Sequence, residues 1–333
     1  MDSVTQFLLG ASITGAILGP RVGVARSLVI GGTVATLPDL DTFVPFIDPI
    51  EAMTHHRGFS HSFLVQTLVA PVIMLLIAFV SRRTRDHKRL VLLAVWLTLT
   101  THSLLDSLTS YGTQVLWPFE VAPPLAIPAV FIIDPLYTLL LLAGVAAAFV
   151  TRNKGSKGLS INRGTLALST AYLCLGVVLH TSITARAEAD PRFQDMKVHV
   201  QPTPFNILVW QVLGVSDTAV TTGLTGPLDR CTITALSRRD RLKSLPGYTP
   251  PPSVQRLEWF TDGFFSYDIK GQYATITDLR MGYPPDFVFS FRIAELAGSG
   301  PHPIEPTRLR LDPTDRLTSL AGMWENALEG CIK

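Results

Sequence analysis

Charge is scarce in this chain. Asp, Glu, Lys and Arg together make up 16% of its 333 residues, against about 25% in an ordinary soluble domain. Hydrophobic residues make up 47%. That balance excludes an ordinary soluble protein and points to a membrane setting. The few charges nearly cancel, at a net +2. They form no basic patch interleaved with aromatics, which excludes a nucleic-acid partner. Cysteine is rarer still, and the three present do not have the spacing of a zinc-thiolate site. Cys174 falls in an apolar run, where a buried, inert thiol is expected. Cys231 and Cys331 fall in the polar C-terminal part, where an oxidising compartment permits a disulfide; the sequence leaves that pairing open. There is no internal repeat. The N-terminus has no basic stretch, carries Asp2 and lacks a cleavage site, so it does not read as a signal peptide.

What the chain does have is apolar length. Runs lie at Val4 to Gly19, Val24 to Leu37, Ser62 to Val80, Leu90 to Leu108, Val130 to Val150 and Thr165 to Ser182. The last four approach the roughly 20 residues that cross a bilayer. The first two are short, and Gly10, Gly15, Gly19, Gly31 and Gly32 would let them pack closely as tilted spans or a re-entrant hairpin. Five basic residues at 81 to 89 and four at 151 to 163 mark cytoplasmic loops, whereas Ser107 to Val150 has none. After Ser182 the chain turns polar. MKVHVQPTP, NILVWQVLGV, TAVTTGLT, GFFSYDIK, QYATITDLR and DFVFSFRIAE alternate like strands. Gly271 marks a hairpin, and YTPPPS at 248 to 253 marks an exposed loop. The expected architecture is a polytopic α-helical membrane domain over residues 1 to 183 with about six apolar helices, four firm spans plus two short N-terminal ones. An antiparallel β-rich extracytoplasmic domain follows over 184 to 333.

Three clusters of His and Asp interrupt the apolar runs: LPDLD at 37 to 41, HRGFSHS at 56 to 62 and HSLLD at 102 to 106. Ionisable groups beside or inside spans are costly, which makes them functional candidates. Asp39 and Asp41 follow Pro38, which favours an extended segment placing both carboxylates on one side. The bland alternative is a helix end with two solvated acids. His56 and His61 are five apart, with Gly58 to bend the chain between them, and His55 reads as a bystander. Arg57 offers a guanidinium fork to phosphate or carboxylate, or else anchors to lipid headgroups. His102 and Asp106 are one helical turn apart, either both binding metal or with Asp106 orienting the imidazole. Ser103 and Ser107 read as packing or back-bonding hydroxyls. Asp134 reads either as an N-cap ahead of Pro135 or as an additional ligand reaching the site, ranked below the other six. Charge-based topology puts all three clusters at the outer membrane face, as convergent ligands require.

The motifs MDSVTQFLLGASI, LPDLD, HRGFSHS, THSLLDSLTSYGTQVLWPF and FIIDPLYTL resemble the YdjM-like family of predicted membrane-bound metal-dependent hydrolases. PTPFNILVWQV and ITDLRMGYPPDFVFSFRIAE are similar to the outer domain of its longer members. The resemblance implies a metal and hydrolysis. The residues offer Asp39, Asp41, His56, His61, His102 and Asp106 as ligands for one or two divalent ions, zinc first, with Mn or Mg as alternatives. Arg57 and Asp106 are the expected catalytic residues, and membrane lipids or lipid-linked molecules are the expected partners, with a phosphoester as the bond cleaved. The rival readings are an ion- or proton-coupled transporter using the same cluster and a non-catalytic scaffold braced by metal.

Overall fold

The computed structural model describes residues 1–227, 233–298 and 300–310, so Cys231 and Cys331 lie outside the described residues. Helices come first: α1 (Ser3–Val22), α2 (Val24–Thr36), α3 (Pro49–His55), α4 (Phe63–Val80), α5 (Arg82–Arg85), α6 (Lys88–Ser107), α7 (Pro135–Val150) and α8 (Lys157–Ala189). Strands follow: β1 (Lys197–Pro202), β2 (Trp210–Val215), β3 (Ala219–Thr225) and β4 (Thr234–Asp240). After helix α9 (Pro252–Phe260) come β5 (Phe265–Lys270), β6 (Tyr273–Asp278), β7 (Gly282–Tyr283), β8 (Asp286–Phe287), β9 (Ser290–Ala297) and β10 (Gly300–Leu309). The apolar helices followed by antiparallel strands are the architecture expected from composition.

Among the described residues, four helices are long and apolar enough to cross a membrane: α1, α4, α6 and α8. This corrects two details of the span assignment. The first run is not short, because Asp2 caps α1 by accepting the Val4 and Thr5 amides and the helix continues through Pro20. Proline has no N–H to give the carbonyl four residues back; the Arg163 guanidinium donates to Ala16 O instead, at 3.0 Å. The run at 130 to 150, by contrast, becomes helical only at Pro135 and yields 16 residues, short of the roughly 20 a span needs.

The chain forms two compact units. The first comprises Met1–Val44, His56–Val177 and Pro204–Asn206. Its packing follows from the sequence stripe of α6: Val91, Val95, Thr98, His102 and Asp106, spaced three to four residues apart, are all buried. The apolar members of that stripe join Leu18, Val22, Val34 and Ala70 in one core, and its last two positions are the candidate ligands. Glycine lets α1 and α2 meet: a Cβ on Gly31 would lie 2.0 Å from Gly10 O, so no other residue fits there without separating the helices. α4 buries only Gln66, Ala70 and Ala78 and leaves Leu68, Val72, Leu75 and Phe79 exposed, the pattern of a helix with lipid on its outer side. Cys174 lies on an exposed face of α8, not in the buried setting expected of it, because that helix packs along only part of its circumference.

The second unit comprises Pro45–His55, Val178–Thr203 and the described residues from Ile207 on. Its sheets are β1-β2-β3-β4 and β10-β9-β6-β5, with β7-β8 as a small hairpin, every pairing antiparallel. Each of the six strand-like stretches read from alternation contributes a strand. Gly271, at φ +61°, makes the turn between β5 and β6, a conformation that favours glycine. YTPPPS is loop only in part, since α9 starts at Pro252, where proline suits a first helical turn. α3 packs on α9 and β10, Arg256 donates to Thr54 O at 3.4 Å, and His55 stacks on Phe46 with centroids 5.3 Å apart.

Candidate metal centre

Three segments of the helical unit deliver the candidate ligands. The Asp pair lies on a 3-10 turn, Pro38–Phe43, not on the extended segment expected after Pro38. The difference changes the site. At three residues per turn, side chains two apart diverge, so the two carboxylates take separate posts. Asp39 faces His61 and His102, with Oδ1 at 3.5 Å and 3.4 Å from their Nε2 atoms. Asp41 faces the other way. Its Oδ1 accepts from His56 Nδ1 at 2.7 Å, and its Oδ2 accepts from the Arg57 amide at 3.0 Å and Ser60 Oγ at 2.7 Å.

The bend between His56 and His61 is made chiefly by Arg57, which adopts φ +61°, a conformation uncommon outside glycine. The Asp41 carboxylate on its amide holds it there. His61 then ends the 3-10 turn Phe59–His61, fully buried. Its tautomer follows from its neighbours. Ser60 Oγ spends its proton on Asp41 and sits 2.9 Å from His61 Nδ1, so Nδ1–H donates to the hydroxyl and the Nε2 lone pair faces inward.

His102 and Asp106 arrive together on the buried stripe of α6. Their Nε2 and Oδ2 atoms are 3.6 Å apart. His61 Nε2 lies 3.1 Å from His102 Nε2 and 3.2 Å from Asp106 Oδ2. The ligating atoms of Asp39, His61, His102 and Asp106 thus all fall within 4.8 Å of one another. A tetrahedral ion with bonds of 2.0 to 2.1 Å separates its ligands by about 3.3 Å. Five of the six separations, 3.1 to 3.6 Å, bracket that edge, and the sixth, between Asp39 and Asp106, lies within 4.8 Å. Asp106 Oδ2 is buried and, among the described residues, accepts no hydrogen bond of proper geometry; it lies within ion-pair distance of Arg57 and His61, and a lone pair remains for an ion. Two imidazole nitrogens and two carboxylate oxygens are also the donor types that zinc or a harder divalent ion takes. The residues fit the group.

Around the four, the chain neutralises and braces. Asp106 Oδ1 pairs with the α-amino group of Met1 and accepts from Gln6 Nε2 at 3.0 Å. Arg57 Nε is 3.1 Å from Asp106 Oδ2, its Nη1 donates to Thr109 Oγ1 at 3.1 Å, and its guanidinium lies 5.0 Å over the Tyr111 ring. Burial pushes the Asp39 carboxyl upward, but hydrogen bonds from His102 and His61 hold it well below the usual range. Asp41 is likewise held low against its burial, chiefly by His56. In His61 burial opposes protonation, and the Asp106 and Asp39 carboxylates overcome it, raising the imidazole above its ordinary value.

Of the six ligands expected from sequence, four converge and two, Asp41 and His56, sit outside that group as a bonded pair behind His61. Asp134 caps α7: it accepts from the Tyr137 amide at 3.0 Å and Tyr172 Oη at 2.8 Å, which occupies the carboxylate there. Ser107 back-bonds to Leu104 O at 2.7 Å, while Ser103 accepts from Gln66 Nε2 at 2.6 Å. Gln6 and Ser60 were not singled out from sequence. Gln6 is an amide inside the first apolar run, and an uncompensated polar group in a span was the available signal.

The family described as YdjM inner membrane protein matches residues 1–183, in agreement with the motif resemblance. An uncharacterized protein of Bacillus subtilis (strain 168), YfhP, is 30% identical over 171 residues, 48% of this chain and 50% of that one. The inner membrane protein YbcI of Escherichia coli (strain K12) is 41% identical over 110 residues, 31% of this chain and 60% of that one. These alignments thus span between half and three fifths of the curated relatives' lengths. No solved structure matches the chain. With more than half its length covered by the family and its histidine and aspartate clusters inside the matched region, the chain belongs to the YdjM inner membrane protein family.

Proposed function

We propose that this protein is a membrane-embedded, metal-dependent hydrolase, acting at the outer face of the inner membrane on a phosphoester of a lipid or lipid-linked molecule. The observation that supports it most is the convergence of Asp39, His61, His102 and Asp106 on one point at the end of apolar helices. These four residues would hold the ion, which when bound acts as a Lewis acid and lowers the pKa of water from 15.7 toward about 7. The chain's own side chains do the rest. Asp41, through Ser60, keeps the His61 Nε2 lone pair on the centre. Arg57, pinned between Thr109, Tyr111 and Asp106, holds a positive charge beside the centre, suited to an oxygen on which charge develops. The orientation rests on the basic stretch 82 to 89, which lies at the opposite ends of α4 and α6 from the ligands and reads as cytoplasmic. The basic residues at 152 to 163 read as cytoplasmic by the same rule, which requires α7 to cross as a short span in a locally thinned bilayer and α8 to return; the β unit is then extracytoplasmic and the protein crosses the membrane several times.

One observation favours a second reading. Four protein donors already complete a tetrahedral zinc shell, which is the arrangement of a structural site; an octahedral ion such as Mn or Mg would keep two positions for water and substrate. The full-length protein in phospholipid nanodiscs separates the readings. Near-stoichiometric metal and metal-dependent phosphate release from phosphatidic acid or a lipid pyrophosphate are expected. Metal without release from either lipid favours the brace, and no metal overturns both.

A further inference from the structure

The turns that carry the metal ligands are apolar on their outer side. The 3-10 turn holding Asp39 exposes Leu40 and Phe43, the latter 82% accessible. The turn ending in His61 exposes Phe59. The loop after α6 exposes Leu116 and Phe119, the latter 64% accessible. These segments form one connected surface. Asp41 ties the first turn to Arg57 and Ser60, the Gln114 amide donates to Arg57 O at 3.0 Å, and the Phe59 and Trp117 rings meet edge to face at 6.3 Å.

That surface runs directly into the lipid-facing side of α4. Ser62, the N-cap of α4, donates to Trp117 O at 2.6 Å, and the Phe63 amide donates to Val115 O at 3.0 Å. Leu64 and Leu68 continue the exposed apolar face from there. Charge is nearly absent along its α4 and post-α6 parts: residues 58 to 80 hold no Asp, Glu, Lys or Arg, and residues 107 to 133 hold only Glu120; in the first turn Asp39 is engaged by His61 and His102 and Asp41 by His56. A protein-binding patch is usually rimmed by polar groups. Trp at the end of a span marks the membrane interface, and Phe and Leu beside it, continuous with the span's apolar face, belong at the headgroup–acyl boundary.

We propose that this rim, formed by Leu40, Phe43, Phe59, Leu116, Trp117 and Phe119, is a docking surface for the acyl chains of bilayer lipids. A lipid seated there has its headgroup at the depth of the metal centre and arrives by lateral movement within the leaflet. That this lipid is the molecule processed rests on the hydrolase reading; the seating itself does not.

The test uses the full-length protein in phosphatidylcholine vesicles doped with a phosphatidylcholine whose acyl chain carries a diazirine near the ester. After irradiation, adducts are located by peptide mass spectrometry. Adducts at 40 to 43, 59 and 116 to 119 are expected, alongside those on the exposed face of α4. Labelling of α4 with those rim segments unlabelled overturns the proposal. In the Phe43→Asp and Phe119→Asp variants, both at exposed positions, rim labelling is expected to fall several-fold while α4 labelling stays; unchanged rim labelling also overturns it. Adduct formation needs no turnover, so a failed dock and a failed hydrolase are told apart by which of the two measurements is negative.

Discussion

Both units of this protein enclose histidine, and they do opposite things with it. In the helical unit, His61 and His102 are fully buried with Nε2 atoms 3.1 Å apart, and carboxylates close around them. In the β unit, His199 on β1 has a buried Nε2 with no hydrogen bond among the described residues, lies 5.3 Å from the Phe264 ring and feels the charge of Arg280. Burial first, then that cation, push its imidazole down to about 3. The contrast teaches that enclosing an imidazole does not make a site. What makes one is a second and third donor arriving from other segments with lone pairs on the same point.

The comparison breaks most visibly on metal content. His102→Ala or Asp106→Ala is expected to remove the metal from the purified protein, while His199→Ala leaves it unchanged; elemental analysis reads both, and full retention in the first two sinks the centre. The next largest effect is on stability against pH. His199 is depressed, so its contribution to the β unit is present above pH 6.5 and is lost as pH falls toward about 3, at up to about 1.4 kcal/mol per pH unit. The His199→Gln variant should flatten that slope in acid denaturation followed by β-sheet circular dichroism. His61 in the metal-free protein has the opposite sign. Raised above 6.5, it contributes fully below that pH, and the contribution disappears as pH rises through its folded value. Added metal reverses the trend, because a ligating imidazole must be neutral.

A smaller effect tests the residues behind the centre. Asp41→Asn should weaken metal binding by about 10- to 100-fold, the usual cost of losing a partner that orients a ligand, without abolishing it; a complete loss would make Asp41 a ligand in its own right. The smallest is Asp134→Ala. Loss of the α7 cap should cost about 1 kcal/mol of thermal stability and leave metal content unchanged, and any loss of metal would bring Asp134 back to the site.

Much of this was legible along the chain. Spacing alone put His102 and Asp106 on one face of α6, and alternation located the strands around Gly271. The path of the Asp pair is not legible because Pro38 restricts only its own φ and the residue before it; nothing local distinguishes an extended PDLD from a 3-10 turn, and that choice sends Asp39 and Asp41 to different partners. The N-terminal helix reads as too short because glycine and proline at 19 and 20 look like an end. Arg163, 147 residues away in sequence, supplies the hydrogen bond that lets α1 pass through them. The run at 130 to 150 was overestimated because hydropathy counts residues that lead into a helix as if they were in it.

Composition and local spacing suffice to put the protein in a membrane, to place a β-rich part after its apolar helices, and to gather histidine and aspartate beside those helices. Each of these depends on composition or on spacing within one segment, where neighbours along the chain are neighbours in space. Tertiary structure alone decided which four of the six candidate residues meet, because their ligating atoms are brought within 4.8 Å by segments up to 67 residues apart, from Asp39 to Asp106. Contact at that separation is set by how helices and turns pack, and no local pattern encodes it.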